Sequence, residues 1–116
     1  MPTVIEDSPQ VRFEGYSPGT EIWGSTQANF LVQLPGRHAR EVAVLLNVPA
    51  GAALAAAAGR EDNAEFREEA ARAVGEAVLE DVVGRGVSFD SIITVSEWFL
   101  AEHPGIFERS KAALSK

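Results

Sequence analysis

His38 and His103 are the two side chains of this sequence that change charge near neutrality without help from their surroundings. Acid–base chemistry is therefore sought around them first. His38 lies in "GRHAR", where Arg37, His38 and Arg40 make the only basic cluster of the chain. Guanidinium groups at this spacing suit a carboxylate or a phosphate, which they hold by charge-assisted hydrogen bonds. The competing reading is a solvated loop, since charged connections are common and need no ligand. His103 lies in "AEHPG", at the expected end of a helix, where an imidazolium is favoured by the helix dipole and serves as a C-terminal cap.

Other chemistries find little footing. A metal site would need Glu102, His103 and distant partners such as Asp90 or His38, and no HxxxH or DxD spacing supports one. Ser25 in "WGSTQ" follows a glycine but does not meet the GxSxG pattern of a nucleophile on a strained turn. "GAALAAAAGR" meets neither GxGxxG nor GxxxxGK[ST], so no nucleotide fingerprint is present. With no cysteine, thiol nucleophiles, disulfides and thiolate zinc sites are excluded. The largest group of carboxylates falls on the polar stripe of one amphipathic helix, and among the rest Glu97 beside Trp98 is the nearest to a carboxylate at an apolar mouth. These residues argue against an enzyme, and no cofactor is expected.

Interaction chemistry is better represented. Trp23, Trp98, Phe99, Ile106 and Phe107 are candidate interface residues, because large aromatic and apolar anchors dominate protein interfaces. They would otherwise serve as core. Ala71 and Gly75, four apart on a predicted helix, would let another backbone approach closely, within the fold or across a dimer.

The elements that must position these groups change character near residue 50. Before it, Pro-Gly turn signals punctuate β-branched and aromatic segments; after it, Ala, Glu and Arg dominate. Residues 1–10 are expected to be flexible. "VRFEGY" (11–16) and residues 20–23 form a predicted hairpin about Pro18-Gly19, a type II signal. "GSTQ" (24–27) reads as a loop, and "ANFLVQL" (28–34) as a buried strand bounded by Pro35-Gly36. Residues 40–48 read as its partner strand, stopping before Pro49, with a helix over 38–47 as the alternative.

In the second half, residues 50–58 are a predicted short helix stopped by Gly59, since alanine has the highest helix propensity. A long helix follows, capped by Asp62 or Asn63 and ended by Gly84 or Gly86. Phe66, Ala70, Val74, Ala77, Val78 and Val82 fall on its one apolar stripe, with Glu68–Arg72 and Asp81–Arg85 spaced to pair. A further helix is predicted from Ser88 or Asp90 to about Glu102, although the β-branched run Ile92, Ile93, Thr94 and Val95 favours a strand. A last helix covers residues 106–114.

The sum is one α+β domain over residues 1–116, with an N-terminal antiparallel meander of three or four strands (11–48) packed against C-terminal helices (50–115). Residues 42–62 are too short, too interrupted and too rich in alanine for a membrane span. The net charge of −7, with about −6 of it in residues 61–90, disfavours a nucleic-acid partner. No signal-peptide pattern stands at the N-terminus, so the cytoplasm is the expected location. The leading functional expectation is a non-enzymatic binding or regulatory protein acting through a protein–protein interface, as a homodimer. Two alternatives are a small-anion-binding protein or enzyme using Arg37, His38 and Arg40, and an acidic inhibitor mimicking nucleic acid through its long helix.

Overall fold

The computed structural model describes residues 9–17 and 25–115. In chain order the elements are β1 (Gln10–Ser17), β2 (Ser25–Gln33), β3 (Arg40–Asn47), α1 (Val48–Ala58), α2 (Ala64–Arg85), β4 (Ile92–Val95), α3 (Glu97–Glu102) and α4 (Pro104–Leu114). The α+β class expected from the sequence is the class observed. The sheet order is β1-β2-β3-β4, with the first three strands antiparallel and β4 parallel to β3.

Alternation in β2 and β3 puts Ala28, Phe30 and Val32 on the same face as Val42, Val44 and Leu46, and all six are buried. Helices cover this face. The edge strand β1 keeps its apolar groups on the same side by means of a bulge. Phe13 pairs with Phe30 and Gly15 with Asn29, so Glu14 is an extra residue, and Gly15 takes a φ of 130° that side chains rarely adopt. Phe13 and Tyr16 consequently lie together, ring centroids 4.9 Å apart, although they are three positions apart in an extended strand. The opposite face carries a polar ladder: Asn29 donates to Ser17 Oγ at 2.8 Å and Gln27 to Asn29 Oδ1 at 2.7 Å.

The long helix α2 has Asn63 as its N-cap, whose Oδ1 accepts from the Phe66 N–H at 2.8 Å. Gly86 ends it at φ 69°, with Gly86 N–H bonded to Val83 O and Val87 N–H to Val82 O. Its predicted stripe is buried from Phe66 to Val78, and Val82 is half-buried. Asp81 and Arg85 pair as expected. Arg72, however, pairs with Glu76 and not with Glu68, because its guanidinium lies 4.4 Å over the Phe13 ring of β1. At Gly75 it is a side chain and not another backbone that comes close: the Phe30 ring of β2 occupies the space a Cβ would need.

Residues 42–62 divide into the end of β3, α1 and its left-handed Gly59 stop as the sequence suggests, except that Val48, expected in the strand, and Pro49 form the first turn of α1, where proline's missing N–H costs no helix bond. Among the described residues, no helix is long and apolar enough to cross a membrane.

Three expectations are corrected. β1 pairs with β2 as far as Ser17↔Gln27. The expected strand at 20–23, its Pro18-Gly19 turn, Trp23 and all but two residues of the expected flexible segment 1–10 lie outside the described residues. Of those two, Gln10 is the first residue of β1. Ser25, Thr26 and Gln27 are strand and not loop, because they pair with Asn47, Leu46 and Leu45 of β3. The predicted helix from 88 or 90 to 102 is in fact a strand followed by a short helix. Ile92–Val95 finds an open edge beside Ala43–Leu46, where its β-branched side chains are favoured, and Ser96 Oγ then accepts from Phe99 N–H to start α3. The fourth strand of the sheet therefore comes from the helical half of the chain.

Candidate functional site

The β2–β3 connection places the basic cluster. Leu34-Pro35-Gly36-Arg37 closes through Arg37 N–H to Leu34 O at 3.1 Å, and Gly36 has φ 72°, the type II geometry that Pro-Gly supplies. Gln33 Nε2 donates to the carbonyls of Leu34 and Arg37 and steadies the turn. This turn faces the end of α2 and the segment leading into β4 across a cleft of about 380 Å³. Arg37 and Arg40 line the cleft together with Leu34, Val83, Val87 and Phe89. His38 is exposed and does not line it.

Arg40 is held from two sides. Its Nη2 donates to Phe89 O at 2.7 Å and to Ser91 Oγ at 3.2 Å, its Nε donates to Ser91 Oγ at 3.3 Å, and its guanidinium lies 4.7 Å over the Phe89 ring. It thereby ties β3 to the approach of β4. Arg37 is exposed and carries no such ties. The sequence could not show the cleft walls, because Val83, Val87 and Phe89 lie more than forty residues from the turn.

The candidate interface residues are not gathered on one surface. Trp98, on α3, is 74% exposed. Near it, Ala53 of α1, Glu97, Leu100 and Ala101 of α3, and Pro104 and Phe107 of α4 line a groove of about 370 Å³. Phe107 is half-buried there. Phe99 is also half-buried, stacked on His103 with centroids 4.2 Å apart, and Ile106 is in the core at 8% exposure. Ala53 enters this site from the alanine run, where nothing in the sequence distinguishes it from its neighbours.

His103 closes α3 as the sequence suggests: it is the C-cap residue, and its Nδ1 lies 2.9 Å from Phe99 O, which accepts the hydrogen bond. Ser25 Oγ bonds to Asn47 Oδ1 at 3.0 Å, at the far end of β2 from the His38 turn, roughly 25 Å away at about 3.3 Å per residue. Glu97 is exposed. Among the described residues no three His, Asp or Glu side chains gather closely enough to hold a metal ion.

The acidic stripe of α2 is largely engaged within the molecule. Glu69 pairs with Arg60, Glu76 with Arg72, Glu80 with Arg109 and Asp81 with Arg85. A nucleic-acid mimic needs its carboxylates unpaired, so this arrangement lends that alternative no support.

Compared with models of known protein families, with curated proteins and with solved structures, the chain matches none.

Proposed function

We propose that this is a non-enzymatic binding or regulatory protein that acts through a protein–protein interface and forms a homodimer. The observation that carries the reading is Trp98. A tryptophan that is 74% exposed leaves a large apolar surface in water, and tryptophan is among the commonest anchors of protein interfaces. It stands close to the α1–α3–α4 groove without lining it. A projection and a groove on the same part of the surface suit an isologous contact, in which each copy's Trp98 enters the partner's groove.

Sedimentation equilibrium of the intact chain tests this. A mass of twice 12.4 kDa, reduced to the monomer by Trp98→Ala, is the expected result. A monomer at all concentrations, with an unchanged near-ultraviolet environment of Trp98, would overturn the homodimer. The alternative of a small-anion site is favoured by a separate observation, the pair of arginines at the β2–β3 turn.

A further inference from the structure

We infer that the cleft between the β2–β3 turn and the end of α2 binds a small organic acid, a carboxylate carried on an apolar group. This site is independent of the Trp98 surface and stands or falls separately from it.

The ion-pair map supplies the first reason. Of the described cationic residues, Arg12, Arg60, Arg67, Arg72, Arg85, Arg109 and Lys111 each sit beside a carboxylate. Arg37 and Arg40 have no carboxylate partner among the described residues, and both line the same cleft. In a chain with seventeen acidic residues against ten basic ones, two guanidinium groups without a carboxylate stand out. No carboxylate is among the described residues that line the cleft.

The second reason is the state of the polar groups. Arg40 spends Nε and Nη2 on Phe89 and Ser91, and its Nη1 takes no partner among the described residues. Those ties fix the guanidinium plane before any ligand arrives, which lowers the entropy cost of binding. Arg37 offers its whole fork to a carboxylate, at a turn whose backbone is held by Gln33. The Ser88 hydroxyl, also at the cleft, is a further donor without a partner among the described residues. Of the four carbonyls at this helix end, those of Val82 and Val83 are bonded to Val87 and Gly86 N–H, and the two arginines offset the negative end of the dipole.

The third reason is the wall. Leu34, Val83, Val87 and Phe89 present apolar surface, and Val87 is 40% exposed, so an apolar group seated against them gains by burial. A volume of about 380 Å³ lies at the small end of ligand sites, which suits a short acyl or aryl acid. Inorganic phosphate would meet the arginines but leave the wall in water. His38 is outside the cleft, so the ligand set is Arg37, Arg40 and Ser88.

The test is an amide-resolved NMR titration of the intact chain with 3-phenylpropanoate, its neutral amide and inorganic phosphate. Saturable shifts confined to residues 34–40 and 83–91 are expected from the acid, and weaker or no shifts from the amide and from phosphate. Arg37→Ala should weaken the acid about ten-fold, the worth of one charge-assisted contact, while His38→Ala leaves it unchanged. Arg37 is exposed, so its replacement leaves the remaining spectrum intact and a folding defect is not confused with lost binding. N-acetylphenylalanine, which resembles a peptide C-terminus, separates two sources of the acid: tighter binding than 3-phenylpropanoate points to a peptide end, weaker binding to a free acid. No saturable shift from either acid at millimolar concentration, an equal response to the amide, or an Arg37→Ala chain that titrates like the parent would overturn the site.

Discussion

Gly75 of α2 and Phe30 of β2 are matched in shape: the phenyl ring fills the space that a side chain at 75 would need. A Cβ placed there would stand 2.5 Å from Phe30 Cζ, well inside contact distance. The ring has little freedom to retreat, since Phe30 is fully buried and meets Phe13 edge-on at 5.6 Å. Gly75→Ala therefore pits overpacking of about 1–3 kcal/mol against a helix-propensity gain of about 1 kcal/mol. A net loss of up to about 2 kcal/mol is expected in urea unfolding. Adding Phe30→Leu should make the alanine at 75 less costly than it is alone, and a double-mutant cycle showing additivity would count against the contact.

Tyr16 ties part of the fold's stability to its phenol proton at alkaline pH. Burial raises its pKa above the ordinary 10.0, with further raising from Glu68, Glu69 and Glu76 partly opposed by Arg72. The folded chain thus holds the phenol proton more tightly than the unfolded chain. The stabilisation is fully present below pH 10 and is lost as pH rises through the higher folded value. Tyr16 is the single tyrosine, so phenolate absorbance at 295 nm follows it directly. Tyr16→Phe should flatten the fall in stability above pH 10; an unchanged slope would place its cause elsewhere.

β4 makes a contrast that a helix over the same residues would not. Val95 is fully buried opposite Leu46, whereas Ile92 is 62% exposed on the helix-free face of the sheet. Val95→Ala is expected to cost about 2 kcal/mol. Ile92→Thr keeps the β-branch and should stay within about 0.5 kcal/mol. Similar large losses at both positions, measured by denaturant unfolding, would instead favour the helix in which both faced the core.

At the start of α2, Asn63→Ala removes the acceptor of the Phe66 N–H and should cost about 1 kcal/mol. Asn63→Asp, which keeps the acceptor and adds a negative charge at the positive end of the dipole, should retain the stability. Thermal unfolding of the two variants side by side decides whether the side-chain cap is responsible.

Both ends of α2, the C-terminal stop of α1 and the central part of the β2–β3 pair were legible in local chemistry, because their signals lie within a few residues of the structure they cause. Asn63, Gly59 and Gly86 act on their own turns, Pro35-Gly36 shapes its own reversal, and the stripe from Phe66 to Val78 follows from helical spacing alone. His103 as a cap is of the same kind. Residues 88–102 were not legible in this way. Their β-branched run favoured a strand, but a strand of four residues has no stability without a neighbour, and the neighbour is β3, more than forty residues earlier.

The candidate site divides along the same line. The sequence by itself determined that Arg37 and Arg40 are the basic cluster of an acidic chain, that no thiol chemistry is available, and that an apolar stripe faces inward along α2. Only the tertiary structure decided which cations would be neutralised. Arg60 reaches Glu69 and Arg109 reaches Glu80 because chain segments meet in space, and among the described residues no such meeting supplies a carboxylate to Arg37 or Arg40. The same packing excluded His38 from the cleft, buried Ile106 and left Trp98 in water. Residue type sets which interactions a side chain can make, but its partners depend on distances across the fold, and those are set by how sheet and helices pack.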